Sequence, residues 1–413
     1  MSAFSVFKDK KGKRNKQETP TVESHYIKLA RRTAFLRYTC LALVAAFAVY
    51  SFSFHSNELT LDNFRYMLKF INLGDEADTP TGSLIAFDGS AGNRGIVYKG
   101  DLAVLNESGL SITGWDGEIL HKAAFTFDHP KMVENGINLF CYDIGGKDIR
   151  VFNSYSQVWS PETPFEYPIY WLSASKSGGF AVVSSAKSYR SAVYVYDSAF
   201  RIVYSRLFGD KYVDFVALSD SGNEFITAAH YSENGNLVTI VSRFRTDSEE
   251  VIFSEKFIGE IPLGIYYTSN GYCLMTSDAL RFYNSDDTVN AKVSFENREL
   301  LSGKVFDEKA LVCYGLDGLS GGTEAIIYRN DGSVEFSKRF DTSLSDSLIC
   351  GNKLYTLSPG RLSIFEIGTE SKNIYSVPTA YSSLVPDGER VILFSENQAE
   401  YFEASAFDKI EDK

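Results

Sequence analysis

The sequence predicts an all-β domain, a β-propeller of about eight four-stranded blades, preceded by one transmembrane helix and a short juxtamembrane helix. Three observations predict it. A charge-free apolar run near the N-terminus follows a basic tail. Two sequence markers recur through the rest of the chain, and both have a period of about 42 residues. Aromatic residues make up 14% of the chain, with 25 Tyr and 31 Phe, and such side chains favour pleated, half-buried surfaces.

Charge separates the chain into two parts. Residues 1–37 hold ten Lys or Arg against three acids, a net +7, so the remainder carries −19 of the overall −12. An acidic domain repels a phosphate backbone, so nucleic acid is excluded as a partner of the main domain. The 413 residues, 44% hydrophobic and 23% charged, are ordinary globular composition and leave room for one large core plus appendages.

The apolar run is YTCLALVAAFAVYSFSF, Tyr38 to Phe54, bracketed by Arg37 and His55. With Ala34, Phe35 and Leu36, and Arg37 snorkelling, it is long enough to cross a bilayer core of about 20 residues. Tyr38 and Tyr50 stand where amphipathic rings favour the interface. A cleaved signal peptide would need a basic leader of over thirty residues and a small-x-small site that is not evident. The run therefore reads as an uncleaved anchor. Positive charge stays inside, so residues 1–34 are expected as a cytoplasmic tail, 35–54 as the transmembrane helix and 55–413 as exported. Membrane lipid is the expected partner of residues 35–54 and, through anionic headgroups, of the basic tail.

Residues 55–81 read as a juxtamembrane helix and an acidic linker. Leu61, Phe64, Leu68 and Ile71 form an apolar stripe over residues 58–72, with Thr60 as N-cap. The stripe reads first as packing on the next domain, with lying on the membrane or pairing with a second copy as the alternative. GDEADTPTG, residues 74–82, lacks large apolar side chains and reads as a linker.

The propeller is expected over residues 82–413. The first marker is a turn before an apolar strand, at Gly136, Gly178, Gly222, Gly271, Gly351 and Gly388, with Asp307 serving one unit. The second is a strand ending in an aromatic, then a polar turn and another strand. It falls at Trp115, Phe152, Tyr196, Phe244, Tyr283, Tyr328 and Phe365. A four-stranded unit repeating every 40–45 residues is the pattern of propeller blades, which bury their faces only by stacking into a ring. Seven blades also fits, because the first and last units are irregular. The unit after Thr379 offers runs at 383–385, 390–394 and 400–404 and lacks a fourth strand, so Leu84–Phe87 of GSLIAFDG is expected to complete it.

The Ser/Asp-Gly turn before the second strand resembles the WD40-like and quinoprotein-like (PQQ-like) propellers. The layout of basic tail, single anchor, LTLDNFRYMLKFI-type helix and propeller resembles a family of single-pass membrane proteins of Gram-positive bacteria. That resemblance covers nearly the whole chain and implies no established activity.

Residues that could carry chemistry are few. Cys141, Cys273, Cys313 and Cys350 sit in apolar strands of separate repeats, with no CxxC, and read as free buried thiols; Cys40 lies in the anchor. His25, His55, His121, His129 and His230 form no metal-binding pair. The glycine-rich GLDGLSGGTE, residues 315–324, falls between strands and reads as a hairpin loop rather than a phosphate cradle. Three Trp and no vicinal cysteines argue against a quinone cofactor. No catalytic residue, cofactor site or metal site is assigned. The most distinctive loop is WSPETPFEYPIYW, carrying Trp159, Phe165, Tyr167, Tyr170 and Trp171. Its rings either pack on the propeller or form a recognition patch for a protein or carbohydrate. The expected function is a membrane-anchored extracytoplasmic binding or scaffolding module for proteins or cell-envelope polymer. The alternative is an envelope-glycan hydrolase or lyase using two carboxylates at the central channel.

Overall fold

Each turn marker has a backbone reason. Gly136, Gly178, Gly222, Gly271, Gly351 and Gly388 all have positive φ, and Asp307 adopts φ 46°. A tight turn between the first and second strands of each unit demands this left-handed conformation, which costs glycine least. Lys99 and Gly100, also at positive φ, supply the same turn in the first unit.

The computed structural model describes residues 22–54, 84–89, 92–163, 165–296, 298–316, 321–369 and 371–410. The expected juxtamembrane helix (58–72) and acidic linker (74–82) lie outside the described residues. The chain divides into two units, Met1–Leu68 and Lys69–Lys413. In the first unit, helix α1 runs Val22–Phe54, 33 residues. It starts well inside the stretch expected as a basic tail. The side chains of 22–29, 47–48 and 50–54 lie outside the described residues. Among the described residues no helix is long and apolar enough to cross a membrane.

In the second unit the described strands form eight four-stranded antiparallel sheets. The protein is therefore an eight-bladed propeller, not a seven-bladed one. Blades 1 to 7 occupy residues 94–124, 130–159, 169–208, 212–258, 262–294, 300–340 and 346–376 in chain order. Blade 8 joins Ser383–Asp387, Arg390–Phe394 and Gln398–Tyr401 with Leu84–Ala86 as its outermost strand. Leu84, Ile85 and Ala86 pair with Glu400, Ala399 and Gln398, and the Phe87 amide donates to the Asn397 carbonyl at 2.9 Å. The expected closure is thus present, with the third strand at 398–401 rather than 400–404.

The hydrophobic core is a ring of seams. Every buried apolar cluster draws on two adjacent blades. The series runs from Tyr98 and Cys141 between blades 1 and 2 to Ile85, Trp115 and Tyr401 between blades 8 and 1. No blade owns a core of its own, so the blades are stable only together. At the closing seam Gly95 abuts the Phe394 ring, where a Cβ would overlap it.

The aromatic marker closes the third strand, where the fourth carries a bulge in blades 2 to 6. Its ring stacks across the sheet. Phe180–Tyr196, Phe225–Phe244 and Tyr272–Tyr283 lie 4.4, 4.9 and 4.6 Å apart. Trp115 departs from the pattern. Its strand ends at Thr113, and the indole lies 4.1 Å from Tyr401 across the closing seam.

The four cysteines of the propeller are free and buried. Burial pushes the Cys141 and Cys273 thiols well above their ordinary value. Residues 315–324 join two strands of blade 6, as a hairpin loop should; 317–320 lie outside the described residues.

Candidate binding face

Two faces follow from the strand order. One carries the blade-to-blade connections and the hairpins between second and third strands. Here it is called the upper face. The lower face carries the turns between first and second and between third and fourth strands.

The first strand of each blade begins at the upper face. In blades 3, 4, 5 and 6, and in no other blade among the described residues, that start is bulged. The register against the second strand shifts between Ile169 and Trp171, Val213 and Phe215, Pro262 and Gly264, and Leu300 and Ser302. The extra residues are Tyr170, Asp214, Leu263 and Leu301. A bulged residue leaves the ladder and its side chain is re-aimed. Tyr170, Leu263 and Leu301 are 42, 40 and 48% exposed. Around them the same face exposes Tyr189, Leu207, Tyr212, Ile261 and Ile258, the last at 71%. The result is an arc of outward apolar side chains across four consecutive blades.

At one end of the arc a cleft of about 530 Å³ opens among blades 2, 3 and 4. Tyr170 and Trp171 enter from blade 3, Tyr212, Asp214, Phe215 and His230 from blade 4, and Ile144 from blade 2. Tyr212 and His230 are cross-strand neighbours, with rings stacked at 5.4 Å. Arg190 Nη1 donates to the Tyr212 hydroxyl at 2.6 Å. His230 Nδ1 lies 2.7 Å from Asp214 Oδ2 and is the natural donor to it. Burial pushes the Asp214 carboxyl up, while the His230 hydrogen bond pulls it back only in part. The Val213 amide donates to Ser191 Oγ at 3.0 Å, tying blade 4 to blade 3.

Trp171 is held at three points. Its Nε1 donates to the Val216 carbonyl at 3.1 Å. Phe215 packs edge-on at 4.9 Å. The Lys131 ammonium stands 3.9 Å from the ring centroid, and its burial pulls its pKa down. Lys131 also lines a second cleft on the same face, with Arg94, Glu107, Asp128 and His129.

The five aromatics singled out in the Trp159–Trp171 stretch divide. Trp159 packs at 5.4–5.7 Å on Phe180, Tyr196 and Phe200 in the seam of blades 2 and 3. Phe165 meets Tyr194 edge-on in the same seam. Tyr167 is half-buried and donates to Glu166 at 3.0 Å. Only Tyr170 and Trp171 reach the cleft. Sequence reasoning missed Arg190, Tyr212, Asp214 and His230. Counting regular strand register outward from the turn at Gly222 would have set Tyr212 opposite Tyr231; the bulge at Asp214 brings His230 there instead. Among the described residues lining this cleft Asp214 is the one carboxylate, so it lacks the carboxylate pair that a glycan hydrolase uses. No group of three or more potential metal ligands occurs among the described residues.

Fold and face together define an eight-bladed β-propeller whose loops and bulges furnish one elaborated surface. The chain belongs to DUF5711, a family of unknown function, whose model matches residues 85–403. Among solved structures it is similar to BamB from Moraxella catarrhalis, at 10% identity and TM-score 0.50. That match covers 78% of this chain and 98% of that one. It is also similar to the C-terminal WD40 domain of Sif2, at 11% identity and TM-score 0.51, covering 78% and 99%. At such identities these likenesses establish the fold alone. No curated protein matched the chain.

Proposed function

We propose that the protein is a membrane-anchored binding module: α1 holds it in a bilayer, the propeller stands on the extracytoplasmic side, and its upper face takes a protein or envelope-polymer partner. The observation that carries this reading is the arc of bulged first strands in blades 3 to 6. Bulges cost ladder hydrogen bonds and are retained where a side chain must be re-aimed. Here they turn Tyr170, Leu263 and Leu301 outward beside Ile258 and Ile261. Contiguous exposed apolar side chains of this kind mark interaction surfaces. Supporting the anchor, 33 residues of helix extend about 50 Å, beyond the roughly 30 Å of a bilayer core. Phe35, Leu36, Leu41, Leu43, Val44 and Val49 are all exposed on it. The +7 of residues 1–37 supports a cytoplasmic N-terminus.

The test uses the full chain in native membranes. Replacing Ile258 and Leu263 together by Asp should abolish co-purification of the bound partner while leaving the melting temperature unchanged. Unaltered co-purification would contradict the assignment of this face. Protease added outside wall-stripped cells should remove an epitope at Lys413 and spare one at Met1. The reverse would contradict the orientation.

A further inference from the structure

The cleft among blades 2, 3 and 4 has features that the apolar arc does not need. Tyr170 and Tyr212 keep about two-fifths of their surface exposed. Tyr212 is fixed by Arg190 at its hydroxyl and by His230 against its ring, and Trp171 is fixed by Val216 and Phe215. These are rigid aromatic walls. Between them stand hydrogen-bonding groups: Arg190, Asp214, His230 and Ser185. Aliphatic lining is limited to Ile144 and Val213.

Charge also bears on the ligand. The chain beyond residue 37 is strongly acidic, and its cations are often taken up in ion pairs, as Arg201 is with Asp197 and Lys256 with Glu233. Arg190 and Lys131 are in no ion pair among the described residues. Arg190 spends one donor on a neutral hydroxyl, leaving four of its five N–H groups for a ligand. Lys131 is held against the Trp171 ring at the cleft wall. Arg190 is exposed at the cleft mouth and Lys131 is half-buried beside it, so both are accessible to an anion.

We propose that this cleft binds a saccharide bearing a negatively charged group, a carboxylate or a phosphate, with the sugar ring against Tyr170 and Tyr212 and the anion at Arg190. The inference rests on the upper face being the binding face and names the ligand class at one site on it. Flat aromatic walls interleaved with dense donors and acceptors suit a pyranose, whose faces are apolar and whose rim is hydroxylated. A guanidinium fork suits a carboxylate or phosphate. An acidic peptide would satisfy the cations and leave the aromatic walls less well used. The cleft volume is in the range that encloses one or two sugar rings.

Calorimetry on the full chain in detergent tests this with four probes: trigalacturonic acid, its trimethyl ester, glucose 1-phosphate and triglutamate. Trigalacturonic acid should bind, with the ester and triglutamate each weaker by about tenfold or more, as expected from losing one charge-assisted contact or one stacking contact of about 1.4 kcal/mol. Binding of glucose 1-phosphate as well would place phosphate within the ligand class, and its failure would restrict the class to carboxylates. R190Q should erase the preference for acid over ester. Y212A should weaken binding about tenfold at unchanged melting temperature, and Y212F should retain the ring contact and most of the affinity. Equal binding of acid and ester would overturn the anionic class. Triglutamate binding as tightly as the sugar would make the site a peptide site. Failure of all four probes would remove the saccharide site, and the Ile258/Leu263 co-purification result would still decide the binding-face reading separately.

Discussion

Trp159 and Tyr170 flank one connection and have opposite surroundings. Trp159 fills a seam between blades against three rings, whereas Tyr170 is displaced outward by a bulge. Trp159→Ala should destabilise the propeller by about 3 kcal/mol, as loss of a packed aromatic does. Tyr170→Ala should stay within about 0.5 kcal/mol of the parent. Denaturant melts of the two variants check the contrast. A second residue-scale test concerns the ion pair at the entry to blade 5. Arg281 holds Glu260 bidentately at 2.5 and 2.7 Å, and Thr276 donates to the same carboxylate. Burial works to raise the Glu260 carboxyl, but Arg281 and Thr276 outweigh it and the net shift is downward from 4.5. A carboxylate depressed in the folded state contributes stability that is complete above its ordinary value and fades as pH falls through the folded one. Glu260→Gln should therefore cost about 3 kcal/mol at neutral pH, where it strands Arg281. The gap to the parent should narrow steadily below about pH 4.5 in pH-resolved melts.

At the scale of elements, the repeat was legible because both markers answer to local backbone demands. A left-handed turn residue and an aromatic opposite a bulge leave their signs in consecutive residues, as Gly178 and Tyr196 do in blade 3. The count of eight followed once Leu84–Ala86 found its partner strand. The cleft was not legible in the same way. Ile144, Arg190 and Tyr212 come from three blades and line one cleft only because the ring curves, so no spacing in the chain announces them. Bulges likewise appear only as register shifts once strands are paired. The C-terminal segment was missed for a similar reason. Its Tyr375–Lys409 bridge, with Ser376 donating to Asp408 and Ile410 to Ile374 at 2.9 Å, covers the outer edge of blade 7. Phe407 stacks on Phe402 behind it. Exposed sheet edges invite pairing with other chains. Removing residues 405–413 should lower stability by about 2 kcal/mol, from two backbone hydrogen bonds and a ring contact. It should also raise self-association, read by sedimentation of the full chain against the truncated one.

At the scale of the whole molecule, every core cluster is shared by two blades, so the face that presents the arc and the cleft exists only if the ring is shut. The shutting strand comes from the other end of the domain. Ala86 and Gln398 are directly opposed across it. They form a non-hydrogen-bonded pair, since the Phe87 amide bonds Asn397, and such pairs bring Cα atoms to about 4.5 Å, near the range a disulfide spans. The decisive measurement places cysteines at both positions of the full chain and follows oxidation by non-reducing electrophoresis and thermal melting. A control pairs Ala86→Cys with Lys372→Cys on the outer strand of blade 7. The account predicts a fast-migrating, intramolecularly crosslinked monomer for the 86/398 pair alone, melting well above its reduced form because so long a loop is closed. Crosslinking of the 86/372 control in its place, or no crosslink at 86/398 in folded protein, would contradict a ring closed by the N-terminal strand.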